Sequence, residues 1–369
     1  MLNELQISGF RSLREFRIAL ARVTLVVGAN GVGKTNLYRG IELLKHAACG
    51  RLTECVARSG GMDGLLWAGR RKIKEARRVA IRARFHDLAY SMEIGVPPPI
   101  SEDERDPTMF RSDPLVKVEQ IAPADAPRAL LCDRDRASLQ IRGDRGRMER
   151  HPLMLDEGES LLTQVRDPDR FPEAALLAQR FRDWRFHHEF RCDAEAPARR
   201  PQFAARTPSM SDDGSNLVSA LRTIHEVGDA PRLHRHLSAV LPRWDWGYSG
   251  AEIWLTYVPG EFDRAFDLRD ASDGTLRYLY LVAILLSPRP PELLVLNEPE
   301  GSLNQRLLEP LAELILSTPA TTQVLVTTHS TELAKLVAGG DGAAVMKLRM
   351  DREGATVVGG EGAEQEQPS

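Results

Sequence analysis

The chain has few cysteines, no long apolar run and no clear signal for export. Its cysteines lie far apart and form no C-x-x-C pair, which argues against a disulfide framework or a zinc site: Cys49, Cys55, Cys132 and Cys192. No apolar run approaches the length of a membrane span, and the N-terminus lacks the charged-then-apolar layout of a signal peptide. We therefore expect a cytoplasmic protein with no direct membrane insertion.

A strong excess of charge is also missing. The net charge is −3 over 369 residues, so the chain as a whole is not drawn to nucleic acid. The densest basic run lies between Arg70 and Arg78. We interpret this run as a solvated face because acidic residues follow it, and the alternative is a surface that contacts a phosphate backbone.

What the sequence does contain is a glycine-rich loop near its start. Eight residues match the pattern G-x-x-x-x-G-K-[ST] at every fixed position: Gly28, Ala29, Asn30, Gly31, Val32, Gly33, Lys34 and Thr35. Residues 23–27 before the loop predict a buried strand, and residues 36–49 after it predict a helix. The glycines let successive backbone N–H groups point at phosphate oxygens, and the helix adds the positive end of its dipole. Lys34 is expected to reach the β- and γ-phosphates, and Thr35 is expected to hold magnesium.

The middle of the chain predicts strands first and helices later. Alternating apolar residues predict antiparallel strands over 79–96, followed by two or three short strands over 115–148. Prolines between 97 and 114 predict an exposed loop. The spacing of apolar residues then predicts helices at 172–190, 216–227 and 232–241. A Pro/Ala/Arg-rich linker lies at 191–213, and strands are predicted at 252–258 and 264–268.

A second set of motifs lies near the C-terminus. The apolar run Leu293–Leu296 predicts a buried parallel strand, and Glu298 follows at the end where an α/β sheet binds ligands. A general base in that position typically supplies about 10²–10⁴-fold in rate. Ser272–Thr275 opens a helix and forms an anion site. The strand at 323–328 ends beside His329, whose imidazole can hydrogen-bond a γ-phosphate.

Taken in this order, the motifs resemble those of ATP-binding-cassette (ABC) superfamily ATPases of the RecF/SMC/overcoming-lysogenisation-defect type. Five stretches of this chain resemble motifs of that family. They are the phosphate loop at Gly28–Thr35, the signature at Ser272–Thr275, the Walker B strand at Leu293–Glu298, the D-loop at Gly301–Asn304 and the switch histidine at His329. The opening Ile7–Leu13 is similar to the family's first strand and turn. The resemblance implies a P-loop α/β fold with a mixed central sheet, an antiparallel β subdomain and a helical insertion.

The resemblance also implies the site residues. Nucleotide contacts are expected from the loop through Asn36 and from the signature and D-loop: Gly28, Ala29, Asn30, Gly31, Val32, Gly33, Lys34, Thr35, Asn36, Ser272, Asp273, Gly274 and Asn304. Glu298 and His329 are the expected catalytic residues. Magnesium is expected near Thr35, Asn297 and a Q-loop glutamine, for which Gln164 is our choice and Gln120 and Gln140 are rivals.

Several positions depart from the family pattern. Asn297 replaces the Walker B aspartate, the signature begins with Ala271 and carries Asp273 in place of its first glycine, and the D-loop ends in Asn304. Losing a carboxylate that supports a metal site typically costs about 10–100-fold in affinity or activity. We therefore expect a slow ATPase.

The predicted organisation comprises an N-terminal ATPase lobe at 1–95, an insertion at 96–240, a C-terminal ATPase lobe at 241–358 and a disordered tail at 359–369. One complete set of motifs implies a homodimer that encloses two ATP molecules. The long separation of Lys34 from Glu298 favours the RecF/SMC branch, which implies DNA repair, DNA maintenance or phage defence. DNA and a partner nuclease or effector are then candidate partners. The alternatives are a transporter ATPase subunit and a nucleotide-gated interaction module with little hydrolysis.

Overall fold

The computed structural model describes residues 1–70, 76–97, 110–143, 145–260 and 262–359. Most of the predicted basic run, of the proline-rich loop and of the C-terminal tail lies outside the described residues. The chain forms two compact units that alternate along the sequence. Unit 1 contains residues 1–21, 26–184 and 346 onward, and unit 2 contains residues 22–25 and 185–345.

Unit 1 is built on an eight-stranded antiparallel sheet. Its strand order is β2-β1-β4-β5-β6-β7-β8-β9. The strands are β1 (Leu2–Phe10), β2 (Leu13–Ala19), β4 (Arg78–Phe85), β5 (Leu88–Gly95), β6 (Leu115–Pro123), β7 (Cys132–Asp135), β8 (Ser138–Arg142) and β9 (Met148–Met154). Alternation of buried and exposed residues in β4 matches a sheet with one face on the core. The antiparallel strands predicted at 79–96 are confirmed, and the segment from 115 onward holds four strands.

Five helices belong to unit 1: α1 (Lys34–Ala48), α2 (Leu52–Arg58), α3 (Gly61–Leu65), α4 (Leu161–Gln164) and α5 (Pro172–Asp183). The predicted helix after the phosphate loop is confirmed, and it buries Leu37, Ile41 and Leu44. Phe181 of α5 packs edge-on against Trp184, with ring centroids 4.7 Å apart. Strand β18 (Thr356–Val358) pairs with the end of β17 (Ala343–Met350) in this unit.

The helix predicted over 172–190 is wrong beyond Asp183. The chain turns extended at Trp184, and residues 185–187 form a strand, β10 (Arg185–His187), that belongs to unit 2. Strand β10 pairs in parallel with β15 (Leu293–Asn297), with Phe186 opposite Val295. The helical spacing of aromatic residues continues past the end of α5 into this strand, and Trp184 and Phe186 are both buried in the core.

Unit 2 is built on parallel strands. The strand order is β10-β15-β16-β3, in which β10, β15 and β16 (Gln323–Thr328) run parallel and β3 (Val23–Val27) contributes its first residues. Every residue of β15 and β16 is buried, which confirms both predicted strands. The helices are α6 (Leu217–Val227), α7 (Ala230–Val240), α8 (Asp273–Leu285), α9 (Leu308–Leu316) and α10 (Thr331–Ala338).

A small antiparallel sheet completes unit 2. Strand β13 (Glu252–Tyr257) pairs with the remaining strands, which are β11 (Gln202–Phe203), β12 (Asp245–Ser249) and β14 (Phe266–Asp267). Two short 3₁₀ helices lie at Pro197–Arg199 and Gln305–Leu307. Within the described residues, no helix combines the length and apolarity needed to cross a bilayer.

Candidate functional site

The glycine-rich loop in unit 1 joins β3 to α1. Gly31 and Gly33 adopt φ values of 85° and 98°, and Gly33 is the N-cap of α1. Gly28 is required for a different reason, because a Cβ there would lie 2.6 Å from a Val32 methyl and 3.0 Å from the Leu348 oxygen. The pattern therefore needs glycine for backbone conformation at two positions and for space at the third.

Lys34 lies over this loop. Its Nζ donates to the main-chain oxygens of Gly28 at 2.7 Å and Ala29 at 3.1 Å, and the residue is only 4% exposed. No side chain caps the N-terminus of α1, and its first turn carries no acidic residue. The positive end of the helix dipole is thus not neutralised by the helix's own side chains, which suits an anion. Thr35, in the same turn, is partly exposed.

A chain of hydrogen bonds supports the loop from behind. Asn36 Nδ2 donates to Ser12 Oγ at 2.8 Å, Ser12 Oγ lies 2.7 Å from Thr356 Oγ1, and Thr356 Oγ1 donates to the Val32 oxygen at 2.9 Å. Because the Thr356 proton goes to Val32, Ser12 is the donor in the middle bond. A Cβ on Gly33 would lie 2.1 Å from Thr356 Oγ1. The loop is therefore held by residues far apart in the sequence.

In unit 2, Asn297 is the last residue of β15. It is buried, and its Oδ1 accepts a hydrogen bond from the Thr327 hydroxyl at 2.6 Å. An aspartate would present a second, charged oxygen at this position, whereas an asparagine presents two N–H donors. Asn297 therefore lies at the end of the strand, as the motif predicts, and its side-chain oxygen is already hydrogen-bonded to Thr327.

Glu298 follows in a left-handed conformation, with φ at 46°. Its N–H donates to the Thr327 oxygen at 2.8 Å, and its own main-chain oxygen accepts from the N–H of Gly301 and from Arg277 Nη2, each at 3.1 Å. Non-glycine residues in this conformation are rare and gather at functional sites. Three separate contacts fix the backbone of the expected general base.

The structure brings His329 to the same carboxylate. His329 Nδ1 lies 3.7 Å from Glu298 Oε2 and 3.4 Å from Glu300 Oε1. The two expected catalytic residues, one at the end of β15 and the other after β16, are therefore neighbours because the strands are adjacent and parallel. Glu300 was not predicted, although it stands two residues after Glu298.

The signature residues begin α8. Ser272 is its N-cap, and the Ser272 hydroxyl accepts from the Thr275 N–H at 3.1 Å. A Cβ on Gly274 would lie 2.5 Å from the main-chain oxygen of Ser302, so glycine allows the D-loop to approach the helix. Asn304 caps the 3₁₀ helix that follows the D-loop, accepting from the Arg306 N–H at 3.1 Å.

Asp273 forms an ion pair with a residue that was not predicted. Arg199 Nη2 donates to Asp273 Oδ1 at 2.7 Å, while the rest of its buried guanidinium donates to the main-chain oxygens of Cys192, Asp193, Leu268, Arg269 and Ala271. Burial, the largest effect, raises the pKa of the Cys192 thiol in this region to about 11. Arg199 therefore holds together the segment that leads into the signature.

Gln164, our candidate for the Q-loop, lies in unit 1 at the end of α4. Its Oε1 accepts from the Asp156 N–H at 2.7 Å, and its Nε2 donates to the oxygens of Asp156 and Glu159, each at 3.0 Å. Both ends of the amide thus stabilise the preceding loop. Of the rivals, Gln120 in β6 donates to Asp133 at 2.9 Å, and Gln140 is exposed in β8.

The fold is that of a P-loop ATPase domain of the ABC type. The chain belongs to the family described as "AAA domain, putative AbiEii toxin, Type IV TA system", which matches residues 144–335. A second family, described as "AAA ATPase domain", matches residues 1–106. No curated protein matches the chain.

Solved structures of SMC heads share this fold. One is an SMC head bound to the C-winged helix domain of ScpA, with a TM-score of 0.55, 15% identity and 98% of each chain covered. Another is an SMC head domain with an extended coiled coil, bound to the C-terminal domain of ScpA derived from Pyrococcus furiosus. Its TM-score is 0.50 at 14% identity, with 97% of this chain and 95% of that chain covered.

Proposed function

We propose that the chain binds MgATP through its glycine-rich loop and hydrolyses it slowly. The observation that carries the proposal is the preformed loop, in which Gly31 and Gly33 adopt left-handed conformations at an N-terminus of α1 that no side chain caps. Such a terminus, with Lys34 beside it, suits a polyphosphate. We assign the β- and γ-phosphate contacts to Lys34 and the magnesium contact to the Thr35 hydroxyl.

Bound magnesium neutralises charge on the phosphates and orients them for in-line attack. We assign the general base to Glu298, which takes a proton from water, and the hydrogen bond to the γ-phosphate to His329. Glu298 suits this role because its backbone is fixed by Thr327, Gly301 and Arg277 while its side chain stays 35% exposed. A fixed base with access to water is what proton abstraction requires.

The test is steady-state phosphate release from the purified protein with magnesium and ATP, with and without double-stranded DNA. Lys34→Ala supplies the blank, and Lys45→Ala, in the last turn of the same helix, supplies the matched control. We expect turnover that Lys34→Ala abolishes and Lys45→Ala leaves within twofold. Turnover that survives Lys34→Ala would contradict the assigned nucleotide site.

We further propose that ATP drives a homodimer switch. Binding at an interface between two copies couples nucleotide state to association, and hydrolysis releases the copies. Glu298→Gln keeps the shape of the side chain but removes the base, so it should accumulate an ATP-bound dimer. Size-exclusion chromatography with light scattering, with and without ATP, measures this. A variant that binds ATP and stays monomeric would refute the switch.

For the cellular role we propose DNA repair, DNA maintenance or phage defence in the cytoplasm, with a partner nuclease or effector. The family description names a toxin of a toxin–antitoxin system, which supports a defence role over a transporter subunit. SMC heads of the same fold are solved with a ScpA domain bound, which supports a protein partner. DNA-stimulated turnover, lost steeply with added salt, would support direct DNA contact.

A second candidate is a nucleotide-gated interaction module with little hydrolysis. Asn297 favours it, because the residue offers no charged oxygen and its Oδ1 accepts from Thr327. Tight ATP binding without turnover above the Lys34→Ala blank would select this candidate over the ATPase.

A further inference from the structure

Glu300 is a buried carboxylate next to the expected catalytic residues. It is 7% exposed, and its Oε1 accepts from the Thr328 hydroxyl and from the His329 N–H at 3.2 Å. Its Oε2 is buried without a hydrogen-bond partner among the described residues. Burying a carboxylate that is only half satisfied costs free energy, so its position calls for an explanation beyond packing.

The imidazole of His329 faces the other oxygen of this carboxylate, Oε1. Its Nδ1 lies 3.4 Å from Glu300 Oε1 and 3.7 Å from Glu298 Oε2, so two carboxylates face the same ring nitrogen. A lone pair on Nδ1 would repel both carboxylates, whereas an N–H there is attracted to both. The groups that face one ring nitrogen therefore influence which nitrogen carries the proton.

Glu300 lies closer to the ring nitrogen than Glu298 does and is more deeply buried. The Glu300 side chain is 5% exposed and the Glu298 side chain is 35% exposed, so water screens the charge of Glu300 less. The same Glu300 oxygen also accepts from the His329 main chain. One carboxylate therefore contacts both the backbone N–H and the ring of His329.

We infer that Glu300 is a positioning residue, which holds His329 with a proton on Nδ1 and leaves Nε2 on the far side of the ring for the phosphate. The catalytic meaning of this inference rests on the proposed ATPase function, but the geometry does not. Glu300→Gln is nearly isosteric and its oxygen can still accept from the Thr328 hydroxyl and the His329 N–H, so it removes the negative charge that favours a proton on Nδ1 without removing volume.

The experiment is ¹⁵N NMR of the histidine rings in the protein without nucleotide, which needs no hydrolysis. His329→Gln assigns the His329 signals among the nine histidines. In the native protein we expect Nδ1 of His329 to show the shift of a protonated ring nitrogen. In Glu300→Gln we expect it to move toward the unprotonated value, while Glu332→Gln, on α10, leaves it unchanged.

A native protein in which Nδ1 of His329 is unprotonated would overturn the inference, even if no variant folds. It would also be overturned if Glu300→Gln left the signal in place and Glu298→Gln moved it, because Glu298 would then orient the ring.

Kinetics supply an independent measurement when the native chain hydrolyses ATP. Carboxylates that orient a histidine typically contribute about 10–100-fold, so Glu300→Gln should lower kcat by that factor. The KM for ATP should stay within twofold, because no contact with the nucleotide is assigned to Glu300. A raised KM with unchanged kcat would contradict a role through His329. If the native chain shows no turnover, the proposed hydrolysis fails while the NMR result still decides the role of Glu300.

Discussion

Arg277 Nη2 donates to the main-chain oxygen of Glu298 at 3.1 Å, which ties α8 to the residue that follows β15. The guanidinium lies over the Phe190 ring, 5.3 Å from its centroid, and a Cβ on Gly301 would come within 3.3 Å of it. A left-handed conformation like that of Glu298 costs about 1–3 kcal/mol and persists only where its surroundings fix it. Arg277 is one of those surroundings.

We therefore expect Arg277→Met to impair catalysis more than folding. Methionine keeps much of the packing of the stem but removes the charged donor, and such hydrogen bonds are worth about 1.5–3 kcal/mol. A loss of about 1.4 kcal/mol in transition-state stabilisation corresponds to about tenfold in kcat. Arg289→Met, at an exposed position just after α8, is the control and should behave like the native chain. Equal kcat values for the two variants would contradict the coupling.

Gly274 is predicted to be needed for the stability of the fold, for a steric reason that does not involve ATP. A Cβ at this position would lie 2.5 Å from the Ser302 oxygen, which is backbone and cannot rotate away. Gly274→Ala should lower the free energy of unfolding by about 1–3 kcal/mol, as overpacking does. Gly339→Ala is the matched control, since nothing lies within 4 Å of its Cβ. Urea unfolding followed by circular dichroism measures the free energy of unfolding of both variants. Equal values would show that the D-loop moves to make room for the added methyl group.

Asn297→Asp tests why hydrolysis is expected to be slow. Aspartate adds a charged oxygen beside the Thr327 hydroxyl, and metal-site partners of this kind are typically worth about 10–100-fold in metal affinity or activity. We expect a gain of this size in turnover or in magnesium affinity, measured as phosphate release over a magnesium titration. Asn3→Asp, in β1 and outside the proposed site, controls for the added charge. If Asn297→Asp changes neither quantity, and the native magnesium dependence is ordinary, the explanation fails.

Much of the framework of the sheets could be predicted from the sequence because its signals are local. Strand β16 runs over the predicted residues, and the loop before α1 has a fixed pattern with a strand on one side and a helix on the other. The failure at 184–190 has a physical cause. Buried aromatic residues spaced by three or four positions suit a helix, but here Phe181 belongs to α5 and Phe186 to a strand that pairs with β15.

The residues that support the site could not be predicted, because their partners are distant in sequence. Arg199 lies 74 positions before Asp273, inside a stretch whose composition suggests a linker. Ser12 and Thr356 meet across 344 positions. Glu300 had a weak signal, as a second glutamate two positions after Glu298, but its contact with His329 depends on strand pairing. Motifs identify the groups that touch a ligand, whereas the groups behind them are found only in the folded chain.

The buried side chain of His236 is predicted to make the stability of the protein depend on pH. It is 2% exposed on α7, and its Nδ1 lies 2.8 Å from the Tyr278 hydroxyl. Burial is the main cause that lowers the pKa of His236 below its usual range. Arg232 and Arg235 also lower this pKa, whereas Glu313 raises it. The unfolded chain therefore binds a proton at a higher pH than the folded chain does, so the free energy of unfolding should fall as the pH drops below about 6.5.

His236→Gln should reduce this fall, by at most about 1.4 kcal/mol per pH unit. Some dependence will remain, because burial also lowers the pKa of His46. Urea unfolding from pH 7.5 to pH 5 measures the slope for the native chain and the variant. His234→Gln is the control, since it changes an exposed histidine on the same helix and should keep the native slope. Above about pH 7 the folded and unfolded chains carry the same charge at His236, so the slopes should agree there. Parallel curves for native and His236→Gln down to pH 5 would show that His236 is protonated in the folded protein, against the burial argument.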